Sequence, residues 1–158
     1  AISLNYKIVM KTVVIFGGSG FIGQNIIRRL SIRGYQIIIP YQKSIDEAKI
    51  RLYGKLGQVV PVRFQGLTDK IITNIINNSD FVLNLKTIWE EKKHQSYEKN
   101  ILRFNIDLAN LLKNADKNKG YIFFSGIGVN NNSSSKRVVL SFVVINIRQL
   151  RTIHWDLL

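Results

Sequence analysis

The sequence of 158 residues contains no cysteine and only two prolines. The absence of cysteine excludes a disulfide scaffold, a thiolate metal site and a cysteine nucleophile. The longest apolar run, Val138–Ile145 with Ser141 inside it, is much shorter than the roughly 20 residues that a membrane span needs. Residues 1–10 lack the basic start, apolar stretch and small-residue cleavage site of a secretory signal. The sequence therefore predicts neither a membrane-spanning nor a secreted protein.

Acidic residues are few: 10 aspartates and glutamates stand against 23 lysines and arginines, for a net charge of +13. Such an excess is typical of proteins that bind nucleic acid or an anionic membrane. The alternative is the composition of an AT-rich genome, because 24 isoleucines and 15 asparagines accompany the lysines. The basic residues are scattered and do not form the blocks typical of nucleic-acid arms. We favour the compositional explanation and do not expect a nucleic-acid partner, although a basic nucleic-acid-binding protein remains an alternative.

Short apolar runs alternate with helical patterns along a chain whose length fits one domain. The predicted strands are Thr12–Phe16, Gln36–Ile39, Gln58–Phe64, Asp80–Leu85 and Gly120–Ser125. The predicted helices are Phe21–Arg33, residues 45–53, a segment capped by Thr68 or Asp69 that ends at Asn78, and Tyr97–Asn114. Apolar strands alternating with helices predict an α/β fold, a Rossmann-type doubly wound parallel sheet with helices on both faces.

Two further expectations concern the elements themselves. Pro40 should end the second strand, and Pro61 should place the third strand at a sheet edge or in a bulge. The helix after the third strand should bury a face made of four isoleucines, which are Ile71, Ile72, Ile75 and Ile76.

A glycine-rich segment, GGSGFIG from Gly17 to Gly23, directly follows the first strand. Gly18, Gly20 and Gly23 fit the spacing G-x-G-x-x-G, and Gly17, Gly20 and Gly23 fit G-x-x-G-x-x-G equally well. In such a motif one glycine makes the tight turn, one lets the backbone approach a pyrophosphate, and one lets the helix pack close to the strand. Because the segment follows a strand and opens an amphipathic helix, it predicts a dinucleotide site at that helix N-terminus.

The end of the second strand is where the two nicotinamide cofactors are distinguished, because an acid there holds the ribose 2′-hydroxyl of NAD. Here the strand is followed by Gln42 and Lys43, and the first acid is Asp46. Lys43 could meet a 2′-phosphate, which favours NADP(H) weakly over NAD(H). The alternative is that Lys43 is a solvated loop lysine.

The segment Lys11–Ser125 resembles the atypical branch of the extended short-chain dehydrogenase/reductase family. Within that branch it resembles the dehydrogenase-like accessory subunits of respiratory complex I (NADH–ubiquinone oxidoreductase) and their bacterial relatives. The resemblance rests on the stretches VVIFGGSGFIG, QIIIPYQ, LGQVVPV, NNSDFVLNL and SSSK. It implies bound NADP(H) with a mainly structural or assembly role, and complex I subunits as partners. It also implies a bacterial cytoplasm or matrix-type compartment, peripheral to the inner membrane.

The resemblance assigns cofactor contacts to individual residues. The pyrophosphate contacts are implied at Gly17, Ser19, Gly20, Phe21 and Ile22, with Gly23 completing the motif. Gln42 stands where the family often has an arginine for the 2′-phosphate, and Gln65 where an aspartate meets the adenine. Leu85 would lie beside the nicotinamide half, with Lys86 and Thr87 in place of a small residue.

Ser125 matches the position of the group's catalytic serine and is a further implied cofactor contact, but the Tyr-x-x-x-Lys pair that moves the proton in this group is absent. None of the six tyrosines has a lysine four residues later. His94 and His154 are isolated, so we expect no metal site. The sequence predicts no catalytic residue, and an active NAD(P)-dependent reductase or epimerase remains an alternative.

The resemblance ends at Lys136, where a helix bearing the tyrosine should begin but RVVLSFVV reads as a strand. We expect a truncated or frame-shifted product that lacks the C-terminal part of the family fold. The alternative is a short form whose tail supplies a sixth strand. The predicted organisation is an N-terminal extension at 1–10, an NAD(P)-binding Rossmann domain at 11–136 and a divergent tail at 137–158.

Overall fold

The computed structural model describes residues 10–55, 57–88, 90–93, 96–115, 120–126, 140–146 and 151–155. The strands are β1 (Thr12–Phe16), β2 (Gln36–Tyr41), β3 (Val59–Arg63), β4 (Phe81–Asn84), β5 (Gly120–Gly126), β6 (Leu140–Asn146) and β7 (Arg151–Trp155). The helices are α1 (Phe21–Ile32), α2 (Ser44–Arg51), α3 (Lys70–Asn77) and α4 (Phe104–Lys113), the last preceded by a π-helical segment at Glu98–Arg103.

The strands form one sheet in the order β3-β2-β1-β4-β5-β6-β7. The first five strands are parallel, which confirms the predicted Rossmann-type sheet, and β6 and β7 continue it in antiparallel fashion. In the register of β1, Val14 lies opposite Ile38 of β2 and Val82 of β4. The chain order therefore reverses between β1 and β4, and such a switch point is where open α/β sheets bind ligands.

The alternating side chains of β1 divide the core into two layers. Val13 and Ile15 belong to a cluster that includes Ile27 of α1 and Ile50 of α2. Val14 and Phe16 belong to the opposite cluster, which includes Ile72, Ile76, Phe104, Leu108 and Leu112 of α3 and α4. The prediction of helices on both faces is confirmed.

Pro40 lies inside β2, so the expectation that it ends this strand is wrong. The amide of Ile37 donates to Gln58, and the carbonyl of Tyr41 accepts from Phe64. The backbone N–H and C=O groups of these positions therefore point toward β3, and the backbone of Pro40 is turned toward β1. The pairing of β2 with β1 stops at Ile38, so the missing N–H of Pro40 leaves no hydrogen bond of the sheet unmade.

Two other expectations have mixed outcomes. Pro61 lies in β3 at one end of the strand order, which confirms the edge position. In α3, Ile72 and Ile76 are buried, but Ile71 is 46% exposed, so its assignment to the buried face is wrong. The tail predicted as a strand forms β6, opposite β5.

Candidate dinucleotide-binding site

The turn between β1 and α1 needs glycine at Gly17 and Gly23. Gly17 has a φ of +73°, and a Cβ there would lie 2.8 Å from backbone atoms of Leu85 and Lys86. A Cβ at Gly23 would lie 2.3 Å from the carbonyl oxygen of Gly18, because the first turn of α1 packs directly onto the glycine turn. These glycines are required by the fold itself, one for backbone conformation and one for close packing.

Gly20 differs from both, because the protein leaves room beside it. It is the N-cap of α1 with an ordinary extended conformation, φ −78° and ψ 172°. A Cβ there would meet nothing closer than the carbonyl oxygen of Gly17 at 3.7 Å. No side chain caps this helix start and its first turn holds no acidic residue. The amide groups and positive dipole end of α1 therefore remain open to an anion.

A cleft of about 350 Å³ opens at the carboxyl ends of the central strands, which is within the size range of small-molecule sites. Four of the predicted contact residues line it: Gly17, Ser19, Gln42 and Lys43. The other lining residues are Phe16, Pro40, Tyr41, Asp46, Phe64, Lys86 and Thr87. The structure thus brings the glycine turn together with the ends of β2 and β4.

The remaining predicted contacts lie around this cleft or away from it. Phe21 and Ile22 begin α1 and are exposed. Gln65 is joined to the cleft wall because the side-chain amide of Gln42 donates to its carbonyl, 3.0 Å away. Leu85 lies behind Gly17 and packs against the α1-side core. Ser125 lies in β5, which β4 separates from β1.

Asp46 and Lys86 are cleft residues that sequence reasoning did not select. Asp46 is the first acid after the second strand, and because α2 begins at Ser44, Asp46 falls in its first turn. An acidic residue at the start of that helix is the signal that could have identified it. In the sequence Lys86 stands only in place of a small residue, and its position in the cleft depends on how β4 pairs with β1.

Lys86 is half-buried, with its ammonium 4.2 Å from the ring centroid of Phe104. Its amide donates to the side-chain oxygen of Asn84, at 3.0 Å. Burial lowers the pKa of Lys86 from its ordinary value. Within the described chain, no carboxylate forms an ion pair with this ammonium.

A buried polar cluster supports the strand end that carries Lys86. The side-chain amide of Asn84 donates to Asn105 of α4 at 2.8 Å, and the hydroxyl of Tyr121 donates to the same oxygen. Burial raises the pKa of the Tyr121 hydroxyl. The cluster ties β4, α4 and β5 together and fixes the backbone of Lys86.

A second cluster fixes the β2 end of the cleft. The hydroxyl of Tyr41 donates to the carboxylate of Glu47, which also forms an ion pair with Arg51 at 2.7 Å. The hydrogen bond from Tyr41, followed by those from Arg51, lowers the pKa of Glu47. Glu47 is thereby engaged within the protein, which leaves Asp46 and Lys43 as the charged groups facing the cleft from α2.

These residues fit a dinucleotide. The uncapped N-terminus of α1 and the space at Gly20 suit a pyrophosphate. Two lysines, Lys43 and Lys86, supply positive charge to the same cleft.

No group of three or more metal-ligating side chains occurs among the residues that the structure describes. His94 falls outside the described residues, and His154 lies in β7. None of the described helices is long and apolar enough to cross a membrane.

Comparison with known proteins agrees with this site. The model of the NAD dependent epimerase/dehydratase family matches residues 13–133. The chain is 29% identical over 122 residues to the mitochondrial NADH dehydrogenase (ubiquinone) 1 alpha subcomplex subunit 9 of Dictyostelium discoideum, covering 77% of this chain and 33% of that protein. The subunit of the same name from Rattus norvegicus is 29% identical over 146 residues, covering 90% and 37% of the two chains.

The chain thus spans about a third of the length of the curated relatives it matches. A solved structure titled SsCR_L211H aligns with a TM-score of 0.51 at 15% identity, over 71% of this chain and 37% of that one. That alignment shows a shared fold, and the family match extends over the glycine turn, the cleft and the strands that carry them. The chain belongs to the NAD-dependent epimerase/dehydratase family.

Proposed function

We propose that this chain binds NADP(H) in the cleft above the β1–α1 turn and serves a structural or assembly role in complex I, with little or no catalysis. Family membership implies a site for a nicotinamide dinucleotide. The observation that carries the placement is the contrast among the glycines. At Gly17 and Gly23 the space that a Cβ would take is occupied by the protein's own backbone. At Gly20 that space is open, and it lies beside the uncapped start of α1.

The preference for NADP(H) rests on the β2 end of the cleft. Lys43 lines the cleft there, and no acid stands between the end of β2 and Asp46. Asp46 lines the same cleft and favours the second candidate, NAD(H), since its carboxylate could accept a hydrogen bond from a ribose 2′-hydroxyl. We propose NADP(H) because Lys43 directly follows Gln42 at the strand end, where the 2′ substituent is read.

The proposed partner is based on the names of the relatives, and the proposed structural role is based on the missing Tyr-x-x-x-Lys pair. The relatives are named as subunits of mitochondrial NADH dehydrogenase. The sequence has no Tyr-x-x-x-Lys pair to move a proton. A protein that binds the dinucleotide without turning it over, at the periphery of such a complex in a matrix-type compartment, accounts for both. The alternative of an active reductase or epimerase requires the missing tyrosine to come from elsewhere, and turnover of a carbonyl or sugar-nucleotide substrate by the purified chain would favour it.

Calorimetry with NADPH and NADH tests the proposal, using Gly20→Val as the decisive variant. The Cβ of valine fits the extended backbone of Gly20, since a Cβ there meets no protein atom closer than 3.7 Å. Valine is a poorer N-cap than glycine, so urea unfolding should show a loss of about 1 kcal/mol while the circular dichroism matches the wild type. Its side chain would fill the space where the backbone must approach a pyrophosphate, so binding of both cofactors should be lost. Ile32→Val, an 85% exposed site outside the cleft, is the control. Binding that survives in Gly20→Val, or no binding by a folded wild-type chain, would overturn the proposal.

A further inference from the structure

The cleft has two ends with different chemistry. In a switch-point site the adenosine half of a dinucleotide lies at the end of β2 and the pyrophosphate at the helix N-terminus. The strand order places β4 on the opposite side of β1 from β2. A dinucleotide bound in this way therefore directs its nicotinamide half toward the end of β4, where Lys86 and Thr87 line the cleft.

Lys86 brings an uncompensated positive charge to that end. Its ammonium rests on the face of Phe104, and Phe104 packs edge-on against Phe16 with 5.6 Å between ring centroids. The aromatic face attracts the ammonium but does not neutralise it. Since no carboxylate pairs with Lys86 within the described residues, its charge acts on whatever occupies the cleft.

The backbone of Lys86 is held in place by the glycine turn and by Asn84. A Cβ at Gly17 would lie 2.8 Å from the amide nitrogen of Lys86, so the strand end and the glycine turn are in close contact. The hydrogen bond from that amide to Asn84 holds the same segment against the Asn84–Asn105–Tyr121 cluster. The backbone of Lys86 is therefore held at the β4 end of the cleft, and its side chain lines the cleft and contacts Phe104.

We propose that Lys86 makes the site select the reduced cofactor over the oxidised one. The nicotinamide ring carries a positive charge when oxidised and none when reduced, so an ammonium in the adjoining wall disfavours only the oxidised form. This inference rests on the proposed dinucleotide site. It gives that site a specificity suited to a protein that retains a cofactor without turning it over.

The test is the ratio of the dissociation constants of the oxidised and reduced forms, measured by calorimetry for whichever cofactor, NADP or NAD, binds more tightly. Lys86→Met removes the charge and keeps an unbranched side chain that is one atom shorter. We expect it to lower the oxidised-to-reduced ratio roughly fivefold, the scale of one partly screened charge pair. Lys86→Arg should keep the wild-type ratio, and so should Lys49→Met, an exposed lysine of α2 outside the cleft.

The outcomes separate this inference from the proposed function. A ratio that Lys86→Met leaves unchanged overturns the selection of the reduced form, as do equal affinities of the wild type for the two forms. If Lys86→Met weakens the binding of the oxidised and reduced forms by the same factor, Lys86 contacts a phosphate and the inference is wrong. A folded wild-type chain that binds neither form overturns the proposed function together with this inference.

Discussion

At the scale of single residues, Lys43 and Asp46 oppose each other at the β2 end of the cleft. Lys43 is exposed at the N-cap of α2, and Asp46 lies in the first turn of the same helix. A 2′-phosphate is attracted by the lysine and repelled by the carboxylate, whereas a 2′-hydroxyl can donate to the carboxylate. The choice between the two cofactors therefore depends on which of these side chains is nearer the ribose.

We expect Lys43→Ala to reduce the affinity for NADPH by up to about 1 kcal/mol, or roughly fivefold, as exposed ion pairs usually give. The affinity for NADH should not change, because NADH has no 2′-phosphate. Calorimetry with both cofactors measures this, and Lys49→Ala on the same helix controls for the loss of a surface charge. Equal losses for the two cofactors, or no loss for either, would remove the assignment of NADP(H).

At the scale of elements, the joint between β2 and α2 depends on one carboxylate. Glu47 of α2 accepts from Tyr41 at the end of β2 and pairs with Arg51 one helical turn later. Tyr41 itself is buried, 8% exposed. The cluster therefore connects the end of β2 to the helix whose N-cap is Lys43 and whose first turn contains Asp46.

The lowered pKa of Glu47 makes this joint sensitive to acid. Because the folded state binds this proton less readily than the unfolded state, the stabilisation is present above the ordinary glutamate pKa and is lost as the pH falls through the lowered value. We expect Glu47→Gln to reduce the part of the pH dependence of unfolding that lies below about pH 4.5.

Urea unfolding at a series of pH values from neutral to acid measures this dependence. Glu98→Gln is the control, because Glu98 forms an exposed ion pair with Arg103 at 3.0 Å without a buried tyrosine. Identical pH profiles for Glu47→Gln and the wild type would show that the cluster does not stabilise the joint.

At the scale of the whole molecule, the residues that the structure describes leave one face of the sheet incompletely covered. An apolar groove of about 350 Å³ runs beside α1 over the strands β4 and β5. Its walls include Ile26 and Leu30 of α1, Phe81 of β4, and Ile122 and Phe124 of β5. Parallel sheets are normally covered on both faces, so this groove is an exposed apolar surface of a kind that promotes association.

We expect the chain to bind a hydrophobic fluorescent dye and to self-associate as its concentration rises. Ile122→Gln should reduce both effects by placing an amide in the groove, whereas Ile32→Gln, on α1 but outside the groove, should not. Dye fluorescence and light scattering over a range of concentrations provide the measurements. A wild-type chain that stays monomeric and binds no dye would contradict the expectation.

Much of the site was predictable from the sequence, because its signals are local. The apolar run of β1, the glycines after it and the isoleucines of α1 are neighbours along the chain, so their spacing predicts strand, turn and helix directly. Lys43 was predictable for the same reason, since it follows the second strand. Its role in selecting NADP(H) stays a prediction.

By itself the sequence determined the strand–helix alternation, the Rossmann-type sheet and the position of the glycine turn, since backbone preferences and apolar periodicity are carried by adjacent residues. Only the tertiary structure decided that Pro40 continues β2, that Asp46 lines the cleft and that Lys86 lines it beside Gly17. Each of these depends on which strands pair and in what register. That pairing is set by packing between residues far apart in the chain, and no local pattern records it.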